Sequence, residues 1–119
     1  MRIQMPRGDI RLIRFHVLNP DKTPSDVDFT EIYFTVKRKA LDEDFCFQKR
    51  LSSGGITKLD NGDYQIKIES EDTEGLRINN DSFPFYDADI ELVYQDQIKQ
   101  TILIQFVLTT EVTHSSNEE

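Results

Sequence analysis

An alternating pattern occupies residues 86–94, which read Tyr86-Asp87-Ala88-Asp89-Ile90-Glu91-Leu92-Val93-Tyr94. Apolar side chains stand at every second position, which is the period of a β-strand that buries one face. A second alternating run follows and places Ile102, Ile104, Phe106 and Leu108 on one face. The two runs predict a β-hairpin. Its buried face pairs Tyr94 with Ile98, Ile90 with Ile102, Ala88 with Ile104 and Tyr86 with Phe106.

The opposite face of this predicted hairpin mixes acidic and apolar side chains. Acidic residues line it on the first strand, and three apolar residues stand at positions that should face water, namely Val93, Leu103 and Val107. Either the first or second strand region of the chain covers them, or another subunit does. Val93, Leu103 and Val107 are therefore the candidate interface residues.

Five further segments repeat the strand period and are separated by turn residues. They are Asp9–Asn19, Phe29–Lys37, Asp44–Leu51, Ile56–Leu59 and Asp63–Glu69. Between the last two segments, Asn61-Gly62 predicts a two-residue hairpin turn of type I′. In that register Leu59 faces Tyr64 and Thr57 faces Ile66.

The segment Ser70–Leu76 breaks the pattern, because it starts with a helix-capping residue and carries acids in its first turn. It predicts a single helical turn. The whole pattern predicts an all-β fold, an immunoglobulin-like β-sandwich of about seven antiparallel strands with one short helical turn. The chain has one cysteine and no tryptophan, so the signature of true immunoglobulin domains is missing. A small barrel is the alternative architecture.

Length and charge limit the roles that this chain can have. Its 119 residues fit one domain, which we predict over residues 1–110, followed by a polar tail over residues 111–119. The net charge of −8 argues against binding to nucleic acid or to anionic membranes. The N-terminus lacks the apolar stretch of a signal peptide, and Ile98–Leu108 is too short and too polar to span a bilayer as a helix. We therefore expect a protein that is cytoplasmic when synthesised.

No group of side chains predicts a metal or cofactor site. The nitrogen and sulfur ligands that the chain offers are His16, His114 and Cys46, and they do not form a cluster. Asp60 and Asp63 face each other across the predicted turn, where a bound cation would relieve their repulsion. A solvated turn is the other interpretation. No metal ligand and no cofactor are assigned.

Catalytic chemistry also lacks a matching motif. Asp87, Asp89 and Glu91 line one strand face, where paired carboxylates can act in acid–base catalysis or glycoside hydrolysis. A solvated strand face is the commoner explanation for such a row. Cys46 has no histidine partner in view, and the chain contains no nucleophile elbow or phosphate-binding loop. We therefore expect no catalytic residue and no enzymatic activity.

Two basic clusters, Lys37-Arg38-Lys39 and Lys49-Arg50, end and begin neighbouring strands of another predicted hairpin. Together they would form a small basic patch for an acidic partner. The alternative is that their charges protect an edge strand from pairing with other chains.

Several stretches of the chain resemble a family of phage proteins. These stretches are Arg7–Phe15, Asp28–Lys37, Gly62–Ile68, Glu71–Leu76 and Ile98–Thr101. In them the chain is similar to small prophage structural proteins and to the N-terminal domain of phage baseplate upper proteins, where a Gly-Asp pair opens an extended strand and a later strand ends in Val-Lys. Baseplate upper proteins continue into a helical stalk and a docking region for receptor-binding proteins, which this sequence does not include.

The resemblance covers most of the chain and carries over no catalytic residue. It implies a non-enzymatic β-sandwich module that attaches to other phage tail or baseplate proteins, with homo-oligomerisation as a further option, and that resides in the virion once assembled. The alternative function is a surface or carbohydrate-binding β-sandwich module. Its candidate aromatic residues are Tyr33 and Tyr86.

Overall fold

The structure of the chain is a computed structural model, which describes residues 1–110. The predicted tail over residues 111–119, which includes His114, lies outside the described residues. In chain order, the elements are β1 (Arg2–Pro6), β2 (Arg11–His16), β3 (Glu31–Lys37), β4 (Phe47–Arg50), β5 (Ile56–Asp60), β6 (Asp63–Ile68), α1 (Ser70–Glu74), β7 (Tyr86–Tyr94) and β8 (Gln97–Thr109).

The strands form two sheets. One has five strands in the order β1-β8-β7-β3-β4, and the other has three in the order β2-β6-β5. The order β8-β7-β3-β4 corresponds to strands G-F-C-C′ of a variable-type immunoglobulin domain, and β2-β6-β5 corresponds to its B-E-D strands. The predicted all-β, immunoglobulin-like sandwich is therefore confirmed.

One hydrophobic core lies between the two sheets. Phe34 and Phe106 from the larger sheet and Tyr64 and Ile66 from the smaller sheet are completely buried in it. Burial of one such side chain contributes about 1.5–3 kcal/mol. A slip of one residue in the pairing of a strand would turn its core residues toward water, so the buried alternation fixes the register.

The sequence does not predict β1, which adds an eighth strand to the expected seven or so. It pairs with β8 in parallel, with Ile3 beside Phe106 and Met5 beside Leu108. Ile3 and Met5 are both buried. A parallel strand is not joined to its partner by a hairpin turn, and five residues are too few to show a clear period. These two facts explain why β1 left no signal.

The predicted register of the β7–β8 hairpin is correct along most of its length, from the pair Tyr86–Phe106 to the pair Ile90–Ile102. It is wrong at the end, where Tyr94 pairs with Gln97 because a bulge shifts the register. The turn residues Gln95 and Asp96 have φ angles of 53° and 63°. A turn with positive φ at both positions normally carries glycine or asparagine, so the sequence contains no mark of it.

The β5–β6 hairpin turns at Asn61-Gly62, as predicted, but its register differs. Lys58, rather than Leu59, pairs with Tyr64, because a bulge makes Leu59 an extra residue on its strand. The predicted facing of Thr57 and Ile66 is wrong for the same reason. A bulge leaves no local pattern in the sequence, since both registers keep the same turn.

The geometry of this turn is set by Gly62. Its φ angle is 78°, and a Cβ atom at this position would lie 2.6 Å from the carbonyl oxygen of Val17. Asn61 is not among the described residues with positive φ. The turn is therefore not of type I′, which requires positive φ at both central positions.

Helix α1 connects the smaller sheet to the larger one. Polar contacts hold this connection, residues 69–77, which we call the helix corner. The N-cap of α1 is Glu69, one residue earlier than predicted. The backbone N–H of Glu69 donates to Oδ2 of Asp72 at 2.7 Å, and Nζ of Lys49 lies 2.6 Å from the same oxygen. The hydroxyl of Tyr86 donates to the carbonyl of Arg77 at 2.6 Å, the contact that marks this corner in immunoglobulin domains.

Candidate interface on the acidic face

The outward side of the five-stranded sheet carries the side chains that alternate with the core. On β3, Ile32, Phe34 and Val36 are completely buried, so the residues between them point outward. Strand pairing aligns the outward residues in three rows, Gln48-Thr35-Asp89-Leu103, Arg50-Tyr33-Glu91-Thr101 and Lys37-Asp87-Gln105-Arg2. We call this side the acidic face after the three carboxylates of its central strand β7, although Arg2, Lys37 and Arg50 on the other strands carry three positive charges.

The three candidate interface residues differ in their exposure. Leu103 is 75% exposed, in the middle of β8. Val93 is partly buried. Val107 is buried, with 7% exposure, so its assignment to an interface is wrong. The unpredicted strand β1 runs beside this part of β8 and pairs Gln4 with Val107, so the start of the chain shields Val107 while Leu103 stays open.

An open groove of about 680 Å³ lies on the acidic face. Thr35, Asp89 and Leu103 line it from three neighbouring strands, and Ala40 lines it from the loop between β3 and β4. The backbone N–H of Ala40 donates to Oδ2 of Asp87 at 2.9 Å, which ties this loop to the sheet. The groove therefore has a floor of paired strands and a wall that is fixed by a hydrogen bond.

Asp89 is the unusual group in this groove. Its Oδ1 atom is buried and has no hydrogen-bond partner among the described residues. Burial raises the pKa of Asp89, and the positive charge of Lys37 opposes this shift. Burial also raises the pKa of Glu91, and the neighbouring charge of Asp89 raises it further. A carboxylate that is partly removed from water without a partner is less stable than one in solvent.

Lys37 and Arg50 on the acidic face contact groups other than the carboxylates of β7. Nζ of Lys37 donates to the carbonyl of Asp42 at 2.8 Å. Arg50 donates through Nε to Gln48 at 2.9 Å, and its guanidinium lies 5.2 Å from the ring centre of Tyr33. Among the ion pairs of the described side chains, none includes a carboxylate of β7. The central carboxylates of the acidic face therefore form no ion pair with any described side chain.

The candidate ion site at the β5–β6 turn is placed as predicted, with Asp60 paired to Asp63. Nδ1 of His16 contacts Oδ1 of Asp63, so this carboxylate has a partner of its own. No group of three or more potential metal ligands occurs within residues 1–110.

Cys46 is half-buried, and its backbone N–H donates to the carbonyl of Val36 at 2.6 Å. Burial raises the pKa of its thiol. Because the thiolate is the reactive form, this environment does not activate Cys46 as a nucleophile.

The aromatic candidates for carbohydrate binding are not brought together. Tyr86 is 1% exposed and belongs to the core. Tyr33 lies on the acidic face, where the guanidinium of Arg50 covers its ring. The structure therefore offers no pair of open aromatic rings at these two positions.

The two basic clusters do not form a single patch. Lys49 lies at the helix corner, where it is paired with Asp72 and its side chain is 13% exposed. Arg38 stacks at 5.3 Å from the ring centre of Phe83. Of these basic residues, Arg50 is an exposed charge on β4, the edge strand of the larger sheet, where edge protection needs one, whereas the first cluster ends β3, an inner strand.

Two features of the acidic face were missed by sequence reasoning. Thr35 is buried at 8% exposure between Gln48, which donates to it at 2.9 Å, and Asp89. Leu41 is 97% exposed, next to Ala40 in the loop that borders the groove. The exposure of Leu41 could have been predicted from the sequence, because Leu41 is an apolar residue in a polar loop. The burial of Thr35 depends on the pairing of three distant strands.

The strand order and the corner contact of Tyr86 define the class of this protein, an immunoglobulin-like β-sandwich. Among solved structures, the NK cell receptor Nkp44, described as a triggering partner in natural cytotoxicity, is similar to the chain, with 12% sequence identity and a TM-score of 0.45 over 91% of this chain and 96% of that one. No protein-family model and no curated protein matches the chain.

The described part of the chain contains no helix that is long and apolar enough to cross a membrane.

Proposed function

We propose that this protein is a non-enzymatic structural or assembly module of a phage tail or baseplate, encoded by a prophage and carried into the virion, which acts through protein–protein contacts. The observation that carries the proposal is Leu103, a large apolar side chain in the middle of β8 that is 75% exposed and lies opposite Asp89 of β7. An exposed apolar group with polar surroundings is typical of protein interfaces. The sequence resemblance to baseplate upper proteins supplies the proposed setting.

The arrangement of the carboxylates supports a contact surface rather than an active site. The three carboxylates of the acidic face follow one another along the single strand β7, as Asp87, Asp89 and Glu91, with about 6.6–6.8 Å between neighbours. In glycoside hydrolysis, two carboxyl groups flank the bond that is cleaved. Carboxylates that all belong to one strand lie on the same side of a bound molecule. The wall formed by Ala40, on the other side of the groove, adds no ionisable group.

Co-purification with neighbouring gene products tests this proposal. The tagged chain is co-expressed with each tail or baseplate protein encoded beside its gene, and the complexes are sized by light scattering. We expect a partner to co-purify with the wild type and to be lost with Leu103→Asp.

The matched control is Leu12→Asp, because Leu12 is an exposed leucine on the other sheet, with 53% exposure. This variant should keep the partner. Failure of every neighbouring protein to bind, or equal loss of binding in both variants, would overturn the proposal.

A further inference from the structure

We propose, on the basis of the function proposed above, that the partner inserts an arginine side chain into the groove of the acidic face. In this arrangement the guanidinium pairs with the carboxylate of Asp89, and the methylene stem of the arginine lies against Leu103. The occupant is thus a protein segment that combines a positive charge with apolar contact area.

The positions of Asp89 and Leu103 fit such a side chain. They form a directly opposed pair on β7 and β8, and both line the groove. Cβ atoms of opposed residues in an antiparallel pair lie about 4.5–5.5 Å apart. An arginine covers apolar surface with its stem while its charged end reaches a polar group, so one side chain can contact both residues.

The charge of the occupant follows from the unpartnered oxygen. Oδ1 of Asp89 is buried without a hydrogen-bond partner among the described residues. The two basic residues that line the groove make their hydrogen bonds to other groups: Nζ of Lys37 donates to the carbonyl of Asp42, and Nη2 of Arg2 donates to Oε1 of Gln4. A cationic donor from outside would satisfy this oxygen and offset the cost of its desolvation.

The same charges argue against a second copy of this chain as the occupant. A two-fold contact centred on the groove would bring the carboxylates of both β7 strands together, in a protein whose net charge is already −8. Opposed like charges are unfavourable in an interface. Arginine is preferred over lysine because its planar fork carries five N–H donors. Two of those donors can bind both oxygens of the Asp89 carboxylate at the same time.

Nuclear magnetic resonance on the isolated full chain tests this inference without a partner. The probe is N-acetyl-arginine-N-methylamide, titrated into the 15N-labelled protein. We expect backbone amide shifts at Thr35, Asp89 and Leu103. The uncharged analogue N-acetyl-citrulline-N-methylamide should give none, because it has the same shape without the cation.

Two variants make the assignment specific. Asp89→Asn should weaken binding of the probe about tenfold or more, since it removes the charge with little change of shape. Glu74→Gln removes one exposed carboxylate from α1 and should leave binding unchanged. A third probe, Nα-acetyl-lysine-N-methylamide, should bind more weakly than the arginine probe. Equal binding of the citrulline or the lysine probe, or shifts spread over all acidic surfaces, would overturn the inference.

The two tests fail in different ways. If Leu103→Asp abolishes a complex but the arginine probe does not bind the groove, the inference is wrong and the proposed function stands. If the probe binds at Asp89 but no neighbouring protein co-purifies, the proposed function is wrong and the groove is still an arginine site.

Discussion

The helix corner and the acidic face both hold polar groups away from water, but they treat these groups differently. At the corner, Asp72 accepts from the N–H of Glu69 and pairs with Lys49, and the buried hydroxyl of Thr73 accepts from the N–H of Gly8 at 2.8 Å. On the acidic face, Oδ1 of Asp89 has no such partner within the described residues.

This difference separates groups that stabilise the fold from groups that are available for binding. A partly buried charge with several partners holds elements of the chain together, because removing one partner leaves the other unsatisfied. A partly buried charge without a partner lowers the stability of the isolated chain, which a binding partner can restore. The substitutions below, each from a carboxylate to its neutral amide, should therefore change stability in opposite directions.

The largest effect is expected for Asp72→Asn. The change leaves the ammonium of Lys49 unpaired at 13% exposure, and it weakens the cap of α1. We expect the free energy of unfolding to fall by about 2–3 kcal/mol, measured by urea denaturation. Glu71→Gln, an exposed acid in the same helix, is the control and should change it by less than about 0.5 kcal/mol. Equal effects of the two variants would remove the distinction drawn here.

The next effect has the opposite sign. Burial holds the pKa of Asp89 above its ordinary value of 3.8, so the folded state binds this proton more tightly than the unfolded state. Stability therefore falls as the pH rises from this ordinary value through the raised pKa of the folded protein. Asp89→Asn should stabilise the protein at pH 7, by less than about 1 kcal/mol because the groove is open to solvent.

The pH dependence of this gain is the decisive measurement. The stabilisation by Asp89→Asn should disappear as the pH falls below about 4, where the wild-type carboxyl is itself protonated. The same substitution should lower the pKa of Glu91, because it removes the neighbouring charge that helps to raise it. A variant that is less stable than the wild type at pH 7 would show that Asp89 has a partner within the chain.

The sequence determines the core far better than it determines the site. Alternation alone predicts that Ile90 faces Ile102, because a slip would expose both. It does not predict the bulge that pairs Tyr94 with Gln97 rather than with Ile98, since Gln95 and Asp96 are not the residues that such turns favour.

The properties of the candidate site depend on strands that are distant in the chain. Val107 is shielded because β1 pairs with the far end of β8, more than a hundred residues away in sequence from Gln4. Asp89 loses water because β3 and β8 lie on both sides of it, with Thr35 and Leu103 as its neighbours. These placements follow from sheet order, which no local pattern records.

The smallest effect is expected at the β5–β6 turn, and it shows how much of the difference is due to burial. Asp63 has a partner in His16, but the side chain of His16 is 62% exposed. An exposed pair contributes less than about 1 kcal/mol. At about pH 5 and low ionic strength, Asp63→Asn should therefore lower the free energy of unfolding by about 0.5 kcal/mol, and by less at 1 M salt, where charges are screened.

The matched control for this pair is Asp60→Asn, on the other side of the same turn. Asp60 faces Asp63 directly, so neutralising it removes a repulsion and should leave stability unchanged or slightly higher. A loss of more than about 1 kcal/mol in Asp63→Asn would mean that having a partner, rather than being buried, controls the contribution of these carboxylates. The instability attributed to Asp89 would then come from its missing partner alone, and occupation of the groove by a cation should reverse it completely.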